Sequence, residues 1–229
     1  MARTCMIVGS GRAGGSFGRA LTAVGWTCDH DDPAQVDLVL LAVPDAAIAE
    51  VAASMPPTDA VVAHVSGACD LDVLAPHHRV GSIHPLMSLP DPATGSHRLL
   101  DDCTFAVDGD PLMTSIVDDL GGRAIEVPGP KRALYHATAA IAANHLTALC
   151  AQVETLADEV GVPVDAYWRL MSTTLDNITE IGPAAALTGP AARGDWDTIA
   201  THIAALPTDE DRALYRALCA RAAHLADQE

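Results

Sequence analysis

Apolar runs of strand length, each followed by a helix-like pattern of apolar positions, recur along the first half of the chain. Residues 4–8 (TCMIV) form such a run, and Phe17, Leu21 and Val24 then fall at helical spacing in GSFGRALTAVGW. Residues 36–45 (VDLVLLAVPD) are typical of a strand buried on both faces, and AAIAEVAASM after them predicts a second helix. Strand and helix therefore alternate.

Four more strands are predicted further along, at residues 60–67 (AVVAHVSG), 79–85 (RVGSIHP), 103–110 (CTFAVDGD) and 123–128 (RAIEVP). A helical stretch, PLMTSIVDDLGG, separates the last two. Continuous apolar strands that alternate with helices predict an α/β fold with a mostly parallel, doubly wound sheet and helices on both sides. We expect this Rossmann-like domain to span residues 1–128.

The pattern changes at EVPGPKR, where prolines and a glycine interrupt the chain. From residue 131 to 159 the sequence is alanine-rich and helical, without strand-like alternation. Further helices are predicted near VDAYWRLMSTTLDNI, after Asp195 as an N-cap, and after a Thr208–Asp211 pair that resembles a capping box. Residues 129–229 are therefore expected to form an all-helical second domain.

Composition and charge narrow the class of partner. Thirteen basic and 30 acidic residues give a formal net charge of -17, which repels phosphate backbones and anionic membrane surfaces. The six cysteines are scattered without a C-x-x-C pair, as expected of a reduced cytosolic protein. No signal peptide or long apolar span is visible. We expect a cytoplasmic protein that binds neither nucleic acid nor membrane.

A glycine triplet lies where the first strand meets the first helix. Gly9 permits a tight turn, Gly11 lets the backbone approach a pyrophosphate, and Gly14 lets the helix pack closely on the strand. The free N–H groups at the helix N-terminus suit a diphosphate. The alternative is a simple glycine turn in a ligand-free domain. The predicted cofactor-binding loop consists of Gly9, Ser10, Gly11, Arg12, Ala13 and Gly14.

The identity of the dinucleotide stays open between NAD and NADP. Asp29 lies about twenty residues past the first glycine, the usual place of a carboxylate that binds the ribose of NAD. Arg12 is an alternative that favours the phosphate of NADP, and Asp29 is equally compatible with a solvated turn. Residues 31–35 are too few for the usual crossover to the next strand, so the adenosine side of the site is expected to be abbreviated.

Several motifs in one order carry a family resemblance: GSGRAGGSFGRAL, DLVLLAVPDAAIAEVA, HVSGA, GSIHPL, RALYHATAAIAANHLTAL and ALTGPAARGDWDTIATHIAAL. The chain resembles bacterial Rossmann-like oxidoreductases whose helical C-terminal half is a domain of unknown function. This group is similar to ketopantoate reductase, pyrroline-5-carboxylate reductase and the 6-phosphogluconate dehydrogenase group. The resemblance implies an NAD(P)H-dependent reductase, often dimeric, whose helical domain carries much of the substrate site, with a 2-oxo acid such as ketopantoate as leading substrate.

The ends of three predicted strands supply candidates beside the nicotinamide. Hydride transfer requires the nicotinamide at the carboxyl ends of the strands and a proton donor near the reacting oxygen. Each candidate has a structural alternative: a strand-ending proline turn in AVPD, and a hydrogen-bonding histidine in SIHPL. The candidates are Val43, Pro44, Asp45, Ser66, Gly67 and His84.

The alanine-rich helix after residue 130 carries a second set of candidates. His136, Ala140 and Asn144 are four residues apart and share a helix face, which suits a proton donor and a group that holds a carbonyl. The alternative is two satisfied polar residues at an interface. Lys131 and Arg132 are further donors or anion anchors, or simply solvate the first turn.

The Gly/Pro loop near residue 190 supplies a candidate for substrate binding. The fork of Arg193 suits a substrate carboxylate, with Thr188 assisting, unless Arg193 pairs with Asp195. A short-chain dehydrogenase is disfavoured because Ala139 stands four residues after Tyr135 instead of lysine.

Other classes fit the sequence less well. A zinc enzyme is disfavoured because the histidines lack ligand spacing, and a methyltransferase because the second domain is helical. We expect a small-molecule reductase that forms a homodimer through its helical domain. A non-catalytic dinucleotide-binding or sensing protein is the alternative.

Overall fold

The computed structural model describes residues 2–227. The chain divides into two compact units, residues 1–145 and 146–229. Within the described residues, no helix has both the length and the apolar character needed to cross a membrane.

The first unit is built on a six-stranded sheet whose strands lie side by side in chain order. Neighbouring strands run parallel, except that β4 and β5 are antiparallel. This arrangement confirms the α/β class and the mostly parallel sheet. The strands are β1 (Cys5–Val8), β2 (Leu38–Leu41), β3 (Val61–His64), β4 (Val80–Pro85), β5 (Thr104–Gly109) and β6 (Arg123–Glu126).

Helices cover both faces of this sheet. One core contains Phe17, Leu40 and Phe105, and the other contains Leu41, Ile48 and Leu74. Alternate residues of a strand point to opposite faces, so the apolar run of β2 supplies both cores. The helices of this unit are α1 (Arg12–Ala23), α2 (Asp45–Ser54), α3 (Pro92–Leu99), α4 (Leu112–Asp119) and α5 (Arg132–Ala140).

Helix α3 is a helix of the first unit that the apolar pattern did not predict. It is short, and its sequence PATGSHRL has few apolar residues. It packs closely on α1, because a Cβ at Gly95 would lie 2.0 Å from Oγ of Ser16 and a Cβ at Gly15 would lie 2.8 Å from Cγ of Pro92. Small residues at a helix contact thus replace the apolar stripe that a sequence pattern detects.

The chain changes winding direction at β1. Thr27 forms an isolated parallel bridge with Thr4, and the Cys5 N–H donates to the Thr27 carbonyl while the Thr4 carbonyl accepts from Leu38. Successive backbone groups of a strand point to opposite sides, so residue 27 and β2 flank β1 on its two sides. Parallel sheets bind ligands at such a switch point, outside the carboxyl ends of the strands.

The second unit is helical, as expected. Asp195 caps α9 by accepting from the Thr198 N–H, and Thr208 caps α10 by accepting from the Asp211 N–H, so both predicted N-caps are confirmed. The helices are α6 (Leu146–Glu159), α7 (Val164–Ile181), α8 (Pro183–Ala186), α9 (Trp196–Ala205) and α10 (Asp209–Ala226).

The two compact units divide at a different place from the expected domain boundary. The change of sequence pattern placed the boundary between residues 128 and 129, but α5 lies in the first unit, whose last residue is His145. The reason is the side chain of Arg132, which is buried and bonded to the carbonyl of Cys69 and the hydroxyl of Ser82. Composition marks the change to helical sequence, whereas these long-range contacts decide which unit the helix joins.

Candidate active site

The predicted site residues of the first half of the chain follow one edge of the sheet. Parallel pairing aligns Val8 with Leu41, Leu41 with His64, and His64 with Ser82. The glycine loop, the AVPD turn and the HVSG turn continue from the first three of these residues, and His84 lies two residues beyond Ser82 on the same face of its strand. The register thus brings separate sequence motifs to one edge.

Two glycines of the loop are required by the protein itself. Gly9 has φ +116°, and a Cβ there would lie 2.3 Å from the carbonyl oxygen of Ala42. A Cβ at Gly14 would lie 1.9 Å from the carbonyl oxygen of Gly9. These residues hold the start of α1 against the ends of β1 and β2, the close helix–strand packing that the fingerprint predicts.

Gly11 is different because nothing in the protein fills the space around it. A Cβ at Gly11 would meet no atom within 4 Å, and its φ of -72° suits any residue. It is the N-cap of α1, and no side chain caps this helix end. The first N–H groups of α1 therefore face open space over a glycine, an arrangement that fits a diphosphate. Ser10 and Arg12 beside it are exposed, and Ala13 is half-buried.

The acidic segment after α1, residues 29–32, is short, and one of its carboxylates forms hydrogen bonds to neighbouring residues of the chain. Asp32 accepts from the Ala34 N–H and from Nε2 of Gln35, which lowers its pKa. Asp29 is exposed. Counting on in register from the pairing of Thr27 with Thr4, Asp31 rather than Asp29 is level with the end of β1. A ribose contact from Asp29 stays a prediction, and Asp31 is a second acidic candidate.

The AVPD and HVSG turns are joined by a side-chain hydrogen bond. The Ser66 hydroxyl donates to a carboxylate oxygen of Asp45 at 2.9 Å and accepts from the N–H groups of Ala68 and Cys69. Ser66 is thus a turn-forming residue with its oxygen fully used. Val43 is half-buried, whereas Pro44 and Asp45 are exposed at the rim.

Three polar aromatic side chains cluster where the end of β4 meets α5. Nδ1 of His84 lies 2.7 Å from the phenolic oxygen of Tyr135, and the rings of His84 and His136 have centroids 5.8 Å apart. Gly67 lies against both imidazoles, because a Cβ there would lie 2.7 Å from Nδ1 of His136 and 2.9 Å from Nε2 of His84. The structure therefore brings together three predicted site residues, and adds Tyr135.

Burial keeps the imidazole of His84 uncharged at neutral pH. The pKa of His84 falls to about 4, first because of burial and then because of the positive charges of His136 and Arg132. Burial also raises the pKa of Tyr135, which remains a neutral phenol able to donate. Tyr135 lines a shallow surface pocket together with Lys131 and Thr138. His84 and Tyr135 can therefore hydrogen-bond a reacting oxygen without carrying charge themselves.

Arg132 is buried, whereas the sequence was equally compatible with a solvated residue in the first turn of the helix. It is 3% exposed, donates to the carbonyl of Cys69 at 2.9 Å and to the hydroxyl of Ser82, and leaves its Nε without a partner. In the described part of the chain no carboxylate forms an ion pair with it. A buried cation without a counter-ion is costly, which points to a role beyond stability.

The remaining candidates lie at the surface of their own units. Lys131 and Asn144 are exposed in the first unit, and Arg193 is exposed in the second. The carboxylate of Asp195 accepts hydrogen bonds from the N–H and the hydroxyl of Thr198. Among residues 2–227, no ion pair joins Asp195 to Arg193. The alternative reading of Arg193 as a partner of Asp195 is therefore not supported by a direct pair.

The helix that carries His136 and Asn144 is not regular. A π-turn, Ile141–His145, separates α5 from α6. In a regular α-helix, residues eight apart stand about 80° apart around the axis. Because an i→i+5 turn has more residues per turn, it reduces that angle. The shared face expected for the two residues thus depends on this π-turn, and π-turns are frequent at functional sites.

Two family models match the chain. The model described as a domain of unknown function (DUF2520) matches residues 103–222, and a Rossmann-like domain model matches residues 24–90. The first match spans more than half of the chain, so the protein belongs to the DUF2520 family. Its fold is that of a Rossmann-like domain followed by a helical domain. No curated protein matches the chain significantly.

Solved structures share this architecture along nearly the whole chain. A Bacteroides fragilis protein named as an NADP oxidoreductase is 19% identical over 97% of this chain and 98% of its own, with a TM-score of 0.83. A Thermotoga maritima protein is 23% identical over 98% of both chains, with a TM-score of 0.75. Pyrroline carboxylate reductase of Plasmodium falciparum, solved with NADP bound, is 8% identical over 98% of both, with a TM-score of 0.63. At these identities the likeness establishes the fold.

Proposed function

We propose that the protein is an NAD(P)H-dependent oxidoreductase that transfers a hydride to a small carbonyl or imine substrate. The observation that carries the proposal is the presence at one sheet edge of an uncapped helix N-terminus over Gly11 and a half-buried pair of imidazoles. The first would hold a diphosphate, and the second would supply hydrogen bonds and a proton.

The cofactor would lie along the ends of the parallel strands. The backbone N–H groups of residues 11–14 would hold its diphosphate, an acidic side chain of Asp29 or Asp31 its adenosine ribose, and the turn at Val43 its nicotinamide half. Exposed Arg12 would meet the additional phosphate of NADP. The bound cofactor would supply the hydride, which no side chain of this protein can supply.

The His84 cluster would act on the oxygen or nitrogen of the substrate. Tyr135 holds Nδ1 of His84, which fixes the orientation of the ring and leaves Nε2 toward Gly67. We assign the hydrogen bond to the reacting atom to Nε2 of His84, and the delivery of the proton to His136 beside it. Asn144 and Lys131 would orient the substrate from the same helical segment.

An anionic substrate fits the charge distribution of the first unit. Arg132 places an unpaired positive charge behind His84 and Ser82, in a chain whose formal net charge is -17. Its field favours a carboxylate near the cluster even without direct contact. This supports a 2-oxo acid as substrate, with ketopantoate the first compound to test.

A homodimer is part of the proposal. In the described part of the second unit, Ala157 and Ile199 are the buried apolar residues, whereas Leu170, Ile181 and Leu218 are exposed. So small a core does not stabilise five helices, and a second copy of the chain would bury these side chains. Sedimentation equilibrium tests this: Leu170→Glu is expected to weaken the dimer, while Leu86→Glu, an exposed leucine of the first unit, leaves it intact.

Calorimetric titration of the purified chain with NADPH and with NADH tests the central proposal. We expect one of the two to bind with a micromolar or tighter dissociation constant, and turnover of ketopantoate to follow from loss of reduced-cofactor absorbance. Binding without turnover of any 2-oxo acid, aldehyde or imine would favour the dinucleotide sensor, which the short segment after residue 27 also favours. Failure of both cofactors to bind at millimolar concentration would reject the proposal.

A further inference from the structure

Two cysteines from different elements have their sulfur atoms in contact. Cys5 lies in β1 and Cys28 follows α1, 23 residues later, and the Cys5 thiol donates to Sγ of Cys28 at 2.8 Å. Both are free thiols. This sulfur–sulfur distance is well below the sum of two sulfur radii, so the two atoms are closer than packing alone requires.

The backbone pairing beside the two cysteines gives a spacing that a disulfide can bridge. Thr27 pairs in parallel with Thr4, so Cys28 and Cys5 are the next pair in register and their side chains lie on the same face. Neighbouring strands are about 4.8 Å apart. That spacing falls within the range of about 4.4–6.8 Å between Cα atoms found in disulfides. No large backbone movement is needed to join the two sulfurs.

The two thiols differ in accessibility and acidity. Cys28 is half-buried and lines a surface groove with Thr22 and Trp26, whereas Cys5 is fully buried. The hydrogen bond from Cys5 lowers the pKa of Cys28, with a smaller contribution from Thr22, and the same bond together with burial raises the pKa of Cys5. A partly accessible thiol with a lowered pKa, beside a second thiol, is typical of a reversible oxidation site.

We propose that Cys5 and Cys28 form a thiol–disulfide site, in which Cys28 reacts first with a peroxide and Cys5 then closes an intramolecular disulfide. This site is separate from the proposed reductase chemistry and does not depend on it. The disulfide would tie the segment around Thr27 to β1, the strand that leads into the glycine loop.

The reaction with hydrogen peroxide balances without another reagent. The Cys28 thiolate attacks one oxygen, the O–O bond breaks, and a sulfenic acid and hydroxide form; the hydroxide takes up a proton to give water. The Cys5 sulfur then attacks Sγ of Cys28, the S–O bond breaks, and the leaving hydroxide departs as water with the proton of Cys5. The two thiols lose two electrons, and the peroxide is reduced to two waters.

Peptide mapping of the whole chain tests the proposal. The reduced protein is treated with one equivalent of hydrogen peroxide, unreacted thiols are blocked, and the chain is cut after arginine and before aspartate. Residues 4–12 and residues 20–28 then fall on separate peptides that each hold one cysteine. We expect these peptides to be joined, two hydrogens lighter than their sum, and to separate after dithiothreitol treatment.

Thiol counting in denaturant gives an independent readout. The wild-type chain has six cysteines, and we expect peroxide to leave four reactive thiols. Cys28→Ser is expected to keep all five of its thiols, because the remaining Cys5 is buried. The matched control Cys69→Ser, which removes another half-buried cysteine, is expected to fall from five to three.

Three results would overturn the proposal. They are an equal loss of thiols in Cys28→Ser and in the wild type, a disulfide that joins two chains, and a Cys28 sulfinic acid with residues 4–12 and 20–28 unlinked. Because Cys28 is only half-buried, its serine variant is expected to fold even if substitution of the buried Cys5 prevents folding.

Discussion

The phenolic oxygen of Tyr135 and Nδ1 of His84 lie 2.7 Å apart, and their rings meet edge to face with centroids 5.5 Å apart. The two residues are 51 positions apart in the chain. Because Tyr135 stays a neutral phenol, it can donate to Nδ1 and so place the proton of His84 on Nε2. The pair therefore sets which imidazole nitrogen is offered toward Gly67.

Loss of this hydrogen bond is expected to affect turnover more than substrate binding. Tyr135→Phe keeps the ring packing and frees His84 to rotate, so we expect kcat to fall at least about tenfold, with KM changed less than about threefold. Steady-state kinetics with the substrate identified by screening measures this.

The second unit offers a matched control. Tyr215 holds Nδ1 of His202 at 2.7 Å in the same edge-to-face arrangement. Tyr215→Phe removes an equivalent hydrogen bond, worth about 1 kcal/mol of stability, and should leave kcat unchanged. Equal kinetic effects of the two variants would argue against a specific role for Tyr135.

Acid is expected to destabilise the native chain partly through His84. Its pKa is about 4 in the folded protein against 6.5 for a free histidine, so between these values the unfolded chain binds more protons. Stability from this residue is complete above pH 6.5 and is lost as the pH falls toward 4. Its full size is about 3 kcal/mol, since one pKa unit corresponds to about 1.4 kcal/mol.

Urea unfolding at a series of pH values measures this effect. We expect the free energy of unfolding to fall more steeply between pH 6.5 and 4 in the wild type than in His84→Gln. Burial lowers the pKa of His64 too, but both proteins retain it, so the difference isolates His84. Parallel curves would mean that His84 titrates normally.

The glycines of the loop are expected to separate into two classes. Gly11→Ala adds a Cβ in open space and should lower stability by less than about 1 kcal/mol, the effect of alanine at an N-cap, yet weaken binding of NAD(P)H about tenfold or more by occupying the diphosphate position. Gly14→Ala forces a Cβ toward the carbonyl of Gly9 and should lower stability by about 1–3 kcal/mol. Thermal unfolding and calorimetric titration distinguish them, and unchanged cofactor affinity in Gly11→Ala would remove the loop from the cofactor site.

Arg132 is expected to contribute both structure and charge. Arg132→Met leaves the Ser82 hydroxyl and the Cys69 carbonyl without their donor, which costs about 1–3 kcal/mol of stability. It also removes a positive charge that lowers the pKa of His84, so the acidic limb of the kcat profile should move to higher pH. Arg132→Lys keeps the charge and should keep the limb, while a loss of stability with no change in the pH profile would mean a purely structural role.

Local pattern was sufficient for most of the fold. The runs at β1 to β6 were visible in the sequence, most clearly β2 and β3, because a strand buried on both faces is apolar throughout. The helices after β1, β2 and β5 were visible because an amphipathic helix repeats every 3.6 residues. The N-caps at Asp195 and Thr208 were equally local. Helix α3 was not predicted, because its contact with α1 is made by glycine and serine, which do not contribute to an apolar pattern.

The sequence by itself determined the alternation of elements, the glycine loop, and the kinds of side chain available for chemistry, because each depends on residues close together in the chain. Only the tertiary structure decided that Arg132 is buried against Ser82, that Tyr135 orients His84, and that Cys5 touches Cys28. Those contacts join residues 23 to 51 positions apart. They follow from strand register and helix docking, which no local pattern of residues specifies.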